Sequence, residues 1–205
     1  MFVLLQCISD DHTLKLCLND GEDILYKNKD GESTLFIAAM RGSTKCVERL
    51  ANEKPELLDM TSLRLNQTPL HSASVADHLE TVRYLVEQRN ASLTSANFLG
   101  DTPLLQACYC GASNVIQFLL RKKADLNSLD LYGNNCLMNA AIGGFNKLYM
   151  LNVQTLHMVL QIKPQWLNNT NYDGQNALWH ASVYGKIVII NGLIQYMRII
   201  LKMRG

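Results

Sequence analysis

The segment Asn66-Gln67-Thr68-Pro69-Leu70-His71-Ser72-Ala73-Ser74 recurs in degenerate form four more times along the chain. The other copies each begin with glycine, and they lie at 31–39, 100–108, 133–141 and 174–182. All five copies keep a leucine at the fifth position, and the intervals between these leucines are 35, 34, 33 and 41 residues. A nearly constant period of this size is typical of repeat proteins, in which each period forms one small structural unit.

The residue types in this segment predict a tight turn followed by a short helix. Glycine supplies a positive φ, threonine caps the following helix, and proline occupies a first-turn position whose N–H has no helical partner. The leucine and the later alanine fall on one face, where the small alanine lets a neighbouring helix approach closely. A second turn is predicted to end each helix, at Gly42, Asp77, Gly111, Gly144 and Gly185.

A second apolar run with helical spacing follows these turns, for example Val82, Leu85 and Val86 after the second copy. Two antiparallel helices of this length cannot bury their apolar faces alone. Each hairpin is therefore expected to stack on the next and to share a continuous core with it.

Three segments add a resemblance to a known family: Thr68-Pro69-Leu70-His71, Thr102-Pro103-Leu104 and Lys123-Ala124-Asp125-Leu126-Asn127. With the period, they resemble the ankyrin repeat. The resemblance implies an all-α fold, namely a solenoid of stacked helix-turn-helix units with short β-hairpin-like connecting turns. We expect a single domain over 1–205, with a degenerate leading repeat at 1–29, repeat 1 at 30–63, repeat 2 at 64–97, repeat 3 at 98–130, repeat 4 with an insertion at 131–170, and repeat 5 with an apolar and basic C-terminal segment at 171–205.

The copies depart from the family pattern in two ways. Only repeat 2 keeps the histidine that, in the family, ties neighbouring turns by hydrogen bonds; the others have Phe36, Leu105, Met138 and Trp179. Repeat 4 contains more residues around 148–156 than a regular unit needs, which predicts an extended helix or an inserted loop. Because Lys163-Pro164-Gln165-Trp166-Leu167 resembles Lys54-Pro55-Glu56-Leu57-Leu58, the insertion is expected to be local.

Composition and charge restrict the partners and the compartment. The chain has 19 basic and 18 acidic side chains, so it lacks the positive charge on which nucleic-acid binding depends, and no nucleic-acid partner is expected. The short apolar run at 2–5 follows no basic residue and does not resemble a secretory signal. Cys17, Cys46 and Cys108 fall at apolar helical positions that suit reduced thiols, so an intracellular, cytoplasmic location is expected.

The sequence shows no assembled catalytic or metal site, so we expect no enzyme activity and no cofactor. The segment Gln106-Ala107-Cys108-Tyr109-Cys110-Gly111 superficially resembles the nucleophile segment of caspases, but an extra residue precedes the glycine and the segment lies within a repeat helix. We therefore interpret Cys108 as a packing residue. The five histidines are scattered over different repeats, without the spacing of a zinc site.

The last twenty residues are apolar and basic, with no acidic side chain. Polar residues interrupt the run before it reaches the roughly twenty apolar residues that a membrane span needs, so membrane association is not favoured. The run is interpreted as the second helix of repeat 5 and a continuation. Since no polar capping repeat follows in this sequence, end-to-end association through this apolar surface is a further hypothesis.

The resemblance implies that a protein partner binds the turn tips and the exposed face of each first helix. Mapping this pattern onto the sequence predicts contacts at Phe98, Asp101, Tyr109, Tyr132, Asn134, Tyr172, Tyr184, Arg41, Gln106 and Asn139. Aromatic side chains on such a groove carry much of the binding energy at protein interfaces. Two functions remain open: a non-catalytic scaffold or adaptor, and a regulatory repeat block of a larger enzyme, channel or membrane-bound transferase.

Overall fold

The computed structural model describes residues 24–143 and 149–203. Within these ranges the secondary structure is helical, apart from an antiparallel bridge between Lys27 and Ser33 at a connecting turn. The all-α prediction with hairpin-like turns is therefore confirmed. The chain divides into two compact units between Pro103 and Leu104. Most of the predicted leading repeat, as well as Cys17 and Gly144, lies outside the described residues.

The first unit contains two helical hairpins within its described residues, 24–103. Helices α1 (Thr34–Met40) and α2 (Thr44–Glu53) form the first, and a 3-10 segment at Pro55–Leu58 follows them. Helices α3 (Pro69–Val75) and α4 (Leu79–Glu87) form the second. The hairpins lie side by side, because α1 packs on α3 and α2 packs on α4.

The second unit repeats this arrangement. Its helices are α5 (Pro103–Cys110), α6 (Ser113–Arg121), α7 (Cys136–Ile142), α8 (Tyr149–Ile162), α9 (Ala177–Val183) and α10 (Ile187–Met203), with a 3-10 segment at Pro164–Asn168 between α8 and α9. First helices pack on first helices, as α7 does on α9, and α8 lies between α6 and α10.

The helices begin where the sequence predicts. The hydroxyl of Ser33 accepts a hydrogen bond from the Phe36 N–H, and the Asn176 side chain accepts one from the Trp179 N–H. Thr68 and Asn135 cap α3 and α7 in the same way. Asp77 takes the left-handed conformation at the end of its turn, with φ 56°, as Gly42 does with φ 70°. The prediction that aspartate would replace glycine there is confirmed.

Repeat 4 has a long second helix. Helix α8 has 14 residues, against 10 for α2, so an extended helix is present over Tyr149–Ile162, while residues 144–148 before it lie outside the described residues. The chain then enters the 3-10 segment at Pro164, as it does at Pro55 after α2. In both segments the backbone carbonyl of the lysine before the proline accepts a hydrogen bond. The Leu57 N–H donates to Lys54 (3.1 Å), and the Trp166 N–H donates to Lys163 (3.0 Å). The return to register is therefore confirmed.

His71 links the start of its own helix to the next turn. Its Nδ1 accepts a hydrogen bond from the Thr68 backbone N–H (3.2 Å) and lies 2.8 Å from the Thr68 hydroxyl. Because Nδ1 accepts, the proton of the neutral ring is on Nε2, which donates to the Asp101 carbonyl oxygen at 3.0 Å. His71 therefore has the role that the family resemblance implied for this histidine.

This buried imidazole predicts a loss of stability in mild acid. Burial lowers the pKa of His71 from its ordinary value of 6.5, although the backbone hydrogen bonds at Asp101 and Ser95 oppose the shift. Well above pH 6.5 the ring is neutral in the folded and the unfolded chain. As the pH falls below that value, the unfolded chain takes up a proton that the folded chain resists, so the folded state loses stability.

The measurement is the difference in unfolding free energy between the wild-type chain and a His71→Leu variant, from urea titrations at several pH values. We expect this difference to shrink as the pH falls from about 7.5 to about 5. The pKa of His180 is also lowered by burial, with Asp130 opposing the shift, but His180 is present in both chains and cancels in the difference. A difference that stays constant with pH would contradict this account of His71.

Candidate functional site

Each connecting turn before a first helix is closed by its own first residue. At Asn97 the backbone N–H donates to the Asp101 carbonyl (3.0 Å), and the Gly100 N–H donates to the Asn97 carbonyl (3.0 Å). The Asn97 side-chain oxygen then accepts from the N–H groups of Leu99 (2.8 Å) and Asp101 (2.9 Å). We call this four-bond unit the Asx turn. It recurs with the same bonds at Asn28, Asp130 and Asn171.

The turn of repeat 2 is a longer variant of this unit. Ser62 takes the first position, and its hydroxyl accepts a hydrogen bond from the Gln67 N–H (3.2 Å). Gln67 is five residues on, where the other turns close after four, and Asn66 takes the left-handed conformation with φ 56°. The extra residue fits because asparagine tolerates this conformation.

Successive turns are joined through their backbones within each unit. In the first unit, Leu63 donates to the Asp30 carbonyl (2.9 Å) and Phe98 donates to the Leu65 carbonyl (2.8 Å). In the second unit, Tyr172 donates to the Tyr132 carbonyl (3.1 Å). The Asx turns and these links use backbone groups and the side chain of the first residue, so the hydrogen bonds that hold the turns do not come from the side chains at the tips.

Large apolar side chains occupy these tips. Tyr132 and Tyr172 are 56% and 73% exposed, and Leu131 beside them is also exposed. We call Leu131, Tyr132 and Tyr172 the tip surface of the second unit. The Tyr172 ring lies over Gly133, where a Cβ atom would come within 2.7 Å of a ring carbon. In the first unit Phe98, at 59% exposure, holds the equivalent tip position.

Four of the ten residues predicted to contact a partner are buried: Asp101, Gln106, Asn134 and Asn139. Two of them belong to a network around Asp130, whose Oδ2 accepts from the Asn134 amide (2.9 Å) and from the Asn139 amide (3.4 Å). Asn171 of the next turn donates to the Asn134 side-chain oxygen at 3.0 Å. These amides hold two turns together, and their burial keeps them from the surface.

Of the first-helix positions that the sequence mapping named, those near the start of the helix are buried, and those one turn later are exposed or partly exposed. Gln106 and Asn139 stand at the seventh position of the motif, two residues after its leucine. All five residues at this position are buried, namely Ile37, Ser72, Gln106, Asn139 and His180. The residues three positions further along each first helix are exposed or partly exposed. Arg41 and Tyr184 are exposed at the ends of α1 and α9, and Tyr109 is partly exposed on α5.

The structure places Cys108 in an environment that suits packing. The thiol is fully buried on α5, and burial, together with the neighbouring Cys136 thiol, raises the pKa of Cys108 well above its ordinary value. A nucleophilic cysteine requires the opposite shift. Within residues 24–143 and 149–203, no three His, Cys, Asp or Glu side chains come together as metal ligands would. No helix in the described part of the chain has both the length and the hydropathy for crossing a bilayer.

Comparison with known proteins agrees with the repeat pattern. A family model described as ankyrin repeats (3 copies) matches residues 4–97 and 104–202. The chain is 29% identical over 191 residues to transient receptor potential cation channel subfamily A member 1 of Drosophila melanogaster, which covers 91% of this chain and 16% of that protein. It is 26% identical over 157 residues to neurogenic locus notch homolog protein 1 of Xenopus laevis, covering 77% of this chain and 6% of that protein.

A third relative is the E3 ubiquitin-protein ligase XBAT33 of Arabidopsis thaliana, 31% identical over 129 residues, or 62% of this chain and 23% of the ligase. The chain thus spans less than a quarter of each of these relatives. Ankyrin repeats mediate protein–protein interaction, and domains built from them are generally non-catalytic. Because the family model covers almost the whole sequence, the chain belongs to the ankyrin repeat family.

Proposed function

We propose that this chain is a non-catalytic adaptor that binds a protein partner through its turn tips, with Tyr132 and Tyr172 as the principal contacts of the second unit. The observation that carries the proposal is the tip surface itself. Two adjacent turns, joined by the Tyr172–Tyr132 backbone bond, present exposed aromatic rings that the turns do not need for their own closure. Aromatic side chains held on a rigid backbone lose little entropy on binding, which suits them to interface hot spots.

The remaining residues predicted to contact a partner form an exposed group and a buried group. Phe98 in the first unit, together with Arg41, Tyr109 and Tyr184 on the helices, can touch a partner directly. Asp101, Gln106, Asn134 and Asn139 are buried, so we propose that they influence binding through the turns and helices that they hold in place. Their substitution is expected to alter stability together with affinity.

A photo-crosslinking experiment identifies the partner and tests the tip surface. A benzoylphenylalanine placed at Tyr172 should capture one predominant protein in cells that express the chain, whereas the same group placed at Lys45 on the exposed side of α2 should not. With the captured partner purified, Tyr132→Ala and Tyr172→Ala should each weaken binding about tenfold. Isothermal titration calorimetry measures this change.

The matched control is a Lys45→Ala, Glu48→Ala double variant, which truncates exposed side chains of α2 and should leave the affinity unchanged. Circular dichroism checks that every variant keeps its helices. If the double variant weakened binding as much as the tyrosine variants, or if the tyrosine variants bound like the wild-type chain, the tip surface would not be the contact.

A second proposal, that the chain is a regulatory repeat block of a longer enzyme or channel, has support in the relatives. The matched region is 16% of the fly channel and 23% of the plant ligase. Sequencing the complete transcript tests this proposal, because a catalytic or pore-forming segment in the same reading frame must be found. All four cysteines in the described ranges are thiols, which supports a reducing compartment such as the cytoplasm.

A further inference from the structure

The turn tips are exposed in repeats that another repeat follows. Leu63 and Phe98 stand second in their turns, as Tyr172 does, and they are 70% and 59% exposed although a further turn follows each of them in the chain. Tyr132 stands third in its turn and is 56% exposed with the turn of repeat 5 bonded to it. The tip positions are therefore open to a ligand whether or not another repeat follows.

One face of the Tyr172 ring lies on the preceding turn, and the other face is open. A Cβ atom on Gly133 would lie 2.7 Å from the ring Cδ1 and 2.9 Å from the ring Cγ, so the ring lies directly against this glycine. The backbone N–H of Tyr172 donates to the Tyr132 carbonyl oxygen, which ties the residue to the same turn. Since the side chain is nevertheless 73% exposed, the outer face of the ring is a flat aromatic surface in contact with solvent.

Asp173, the residue after Tyr172, adds a carboxylate beside this ring. Its backbone N–H donates to the Asn171 side-chain oxygen (3.1 Å), but its exposed carboxylate has no hydrogen bond or ion pair with the described residues. Asp130 in the neighbouring turn differs. It is buried, its Oδ1 accepts two backbone N–H groups, and its Oδ2 accepts the Asn134 amide. Of these two carboxylates, that of Asp173 is the one left to bind a ligand.

Asp173 lies in a part of the second unit without basic side chains. The turns and first helices of repeats 4 and 5 lie within 128–143 and 169–185, and these segments contain no lysine or arginine. In the described part of the second unit, the basic residues lie on or next to the second helices α6, α8 and α10. The turn tips of the first unit differ, because they carry Lys29 and Arg64. The charge distribution therefore favours a cationic ligand at the tips of the second unit.

We propose that the tip surface of the second unit binds an arginine side chain of the partner, which stacks on the outer face of Tyr172 and pairs with the Asp173 carboxylate. This inference rests on the adaptor function proposed above, and it states which residue type of the partner is bound. A planar guanidinium can lie on an aromatic ring and donate two hydrogen bonds to a carboxylate at the same time. The ammonium group of lysine has no such plane. The exposed Leu131 and Tyr132 suit an apolar residue next to this arginine.

The test begins with a library of random peptides displayed on phage and selected on the full chain. Peptides that also bind a Tyr132→Ala, Tyr172→Ala double variant are removed, so that only binders of the tip surface remain. We expect the remaining peptides to carry an arginine next to apolar residues. The same selection on an Asp173→Arg variant should replace the arginine with glutamate or aspartate. If no peptide remained, or if the remaining peptides lacked arginine, the proposal would be overturned.

A synthetic copy of a selected peptide measures the contact by isothermal titration calorimetry. Replacing its arginine with citrulline, which has a similar shape but no charge, should weaken binding to the wild-type chain about tenfold. Asp173→Asn should weaken binding of the arginine peptide about fivefold, because this variant keeps the backbone N–H that bonds to Asn171 and loses the charge. On Asp173→Asn, the citrulline exchange should cost no more than about threefold, since only the stacking is then lost.

Asp125→Asn is the matched control. Asp125 is an exposed aspartate of the same unit, and its Oδ1 accepts a hydrogen bond from the Asn127 N–H (2.9 Å) that an asparagine can also accept. The variant has the same net charge as Asp173→Asn, so it should bind the peptide like the wild-type chain. Equal losses for the two variants, or an Asp173→Asn chain that binds like the wild type, would overturn the arginine contact.

These results are distinguishable from a failure of the adaptor proposal. If Tyr172→Ala weakened binding and Asp173→Asn did not, the tip surface would remain the contact and the arginine would be excluded. The adaptor proposal fails separately, when the photo-crosslinking group at Tyr172 captures no predominant protein.

Discussion

Replacing Gly143 with alanine should lower the free energy of unfolding by about 3 kcal/mol or more. A Cβ atom at this position would lie 1.7 Å from the carbonyl oxygen of Tyr109 and 2.6 Å from its carbonyl carbon. Both are backbone atoms of α5, so no side chain can turn aside to make room. The backbone of Gly143 is extended, with φ −65° and ψ −173°, and alanine adopts this conformation readily. The whole cost is therefore the separation of α7 from α5.

A second contact would be disturbed by the same movement. The buried Lys186 ammonium donates a hydrogen bond of 2.8 Å to the Gly143 carbonyl oxygen. Burial already lowers the pKa of Lys186, so weakening this bond removes stabilisation that its charged form needs.

Gly192→Ala is the matched control for Gly143→Ala. Gly192 lies within helix α10, and the nearest atom to a new Cβ would be the Val153 Cγ1 at 3.8 Å, an ordinary contact. Alanine should therefore stabilise the helix by about 0.5–1 kcal/mol. Urea unfolding followed by circular dichroism measures both variants. A Gly143→Ala chain as stable as the wild type would show that α5 and α7 do not approach as closely as described.

His71→Leu should lower the free energy of unfolding at neutral pH by about 2–3 kcal/mol. Leucine occurs at the equivalent position in repeat 3, where Leu105 is fully buried, so the side chain itself suits this place in a repeat. The loss arises because leucine leaves the Thr68 N–H without its acceptor and removes one hydrogen bond of the buried Asp101 carbonyl, which keeps the bond from the Asn97 N–H. A donor left without an acceptor costs more than the bond itself contributes.

The His78→Leu variant removes a histidine hydrogen bond that is exposed. Comparison with His71→Leu therefore shows how much the burial of the bond contributes to the loss of stability. The His78 Nε2 also lies near a backbone oxygen, that of Met40 at 3.1 Å, but this bond is exposed. Water can replace the lost partner there, so the expected cost is below about 1 kcal/mol. Equal losses for the two variants, measured by urea unfolding at neutral pH, would contradict the importance of burial at His71.

The sequence predicts the repeat and its local structure well, because both depend on neighbouring residues. The glycine, capping residue and leucine of each motif determine a turn and a helix start within a few positions, and the structure has both. The long second helix of repeat 4 was one of two alternatives that the residue count left open. The long helix packs against α6, α7 and α10, and that packing is not local in sequence.

The candidate site is harder to predict because exposure depends on the neighbouring repeat. Asn134 and Asn139 are polar and are predicted partner contacts, yet hydrogen bonds with Asp130 and Asn171 hold them in a buried network. A signal for this was present: an asparagine or aspartate stands three residues before the glycine in four of the five turns. By contrast, no local pattern separates Trp179 from Met138, since their exposure depends on what lies beyond each hairpin.

In the Asx turns, the residue whose side chain closes the turn differs from the residues whose side chains are exposed at the tip. Asp130 and Asn171 close their turns by hydrogen bonds, while the side chains of the two residues after each of them do not supply these bonds. Chains diversified at 131–132 and 172–173 would thus share one scaffold and differ in the chemistry that they offer. A few substitutions at these positions can therefore give a new binding specificity, while the backbone of the turns stays the same.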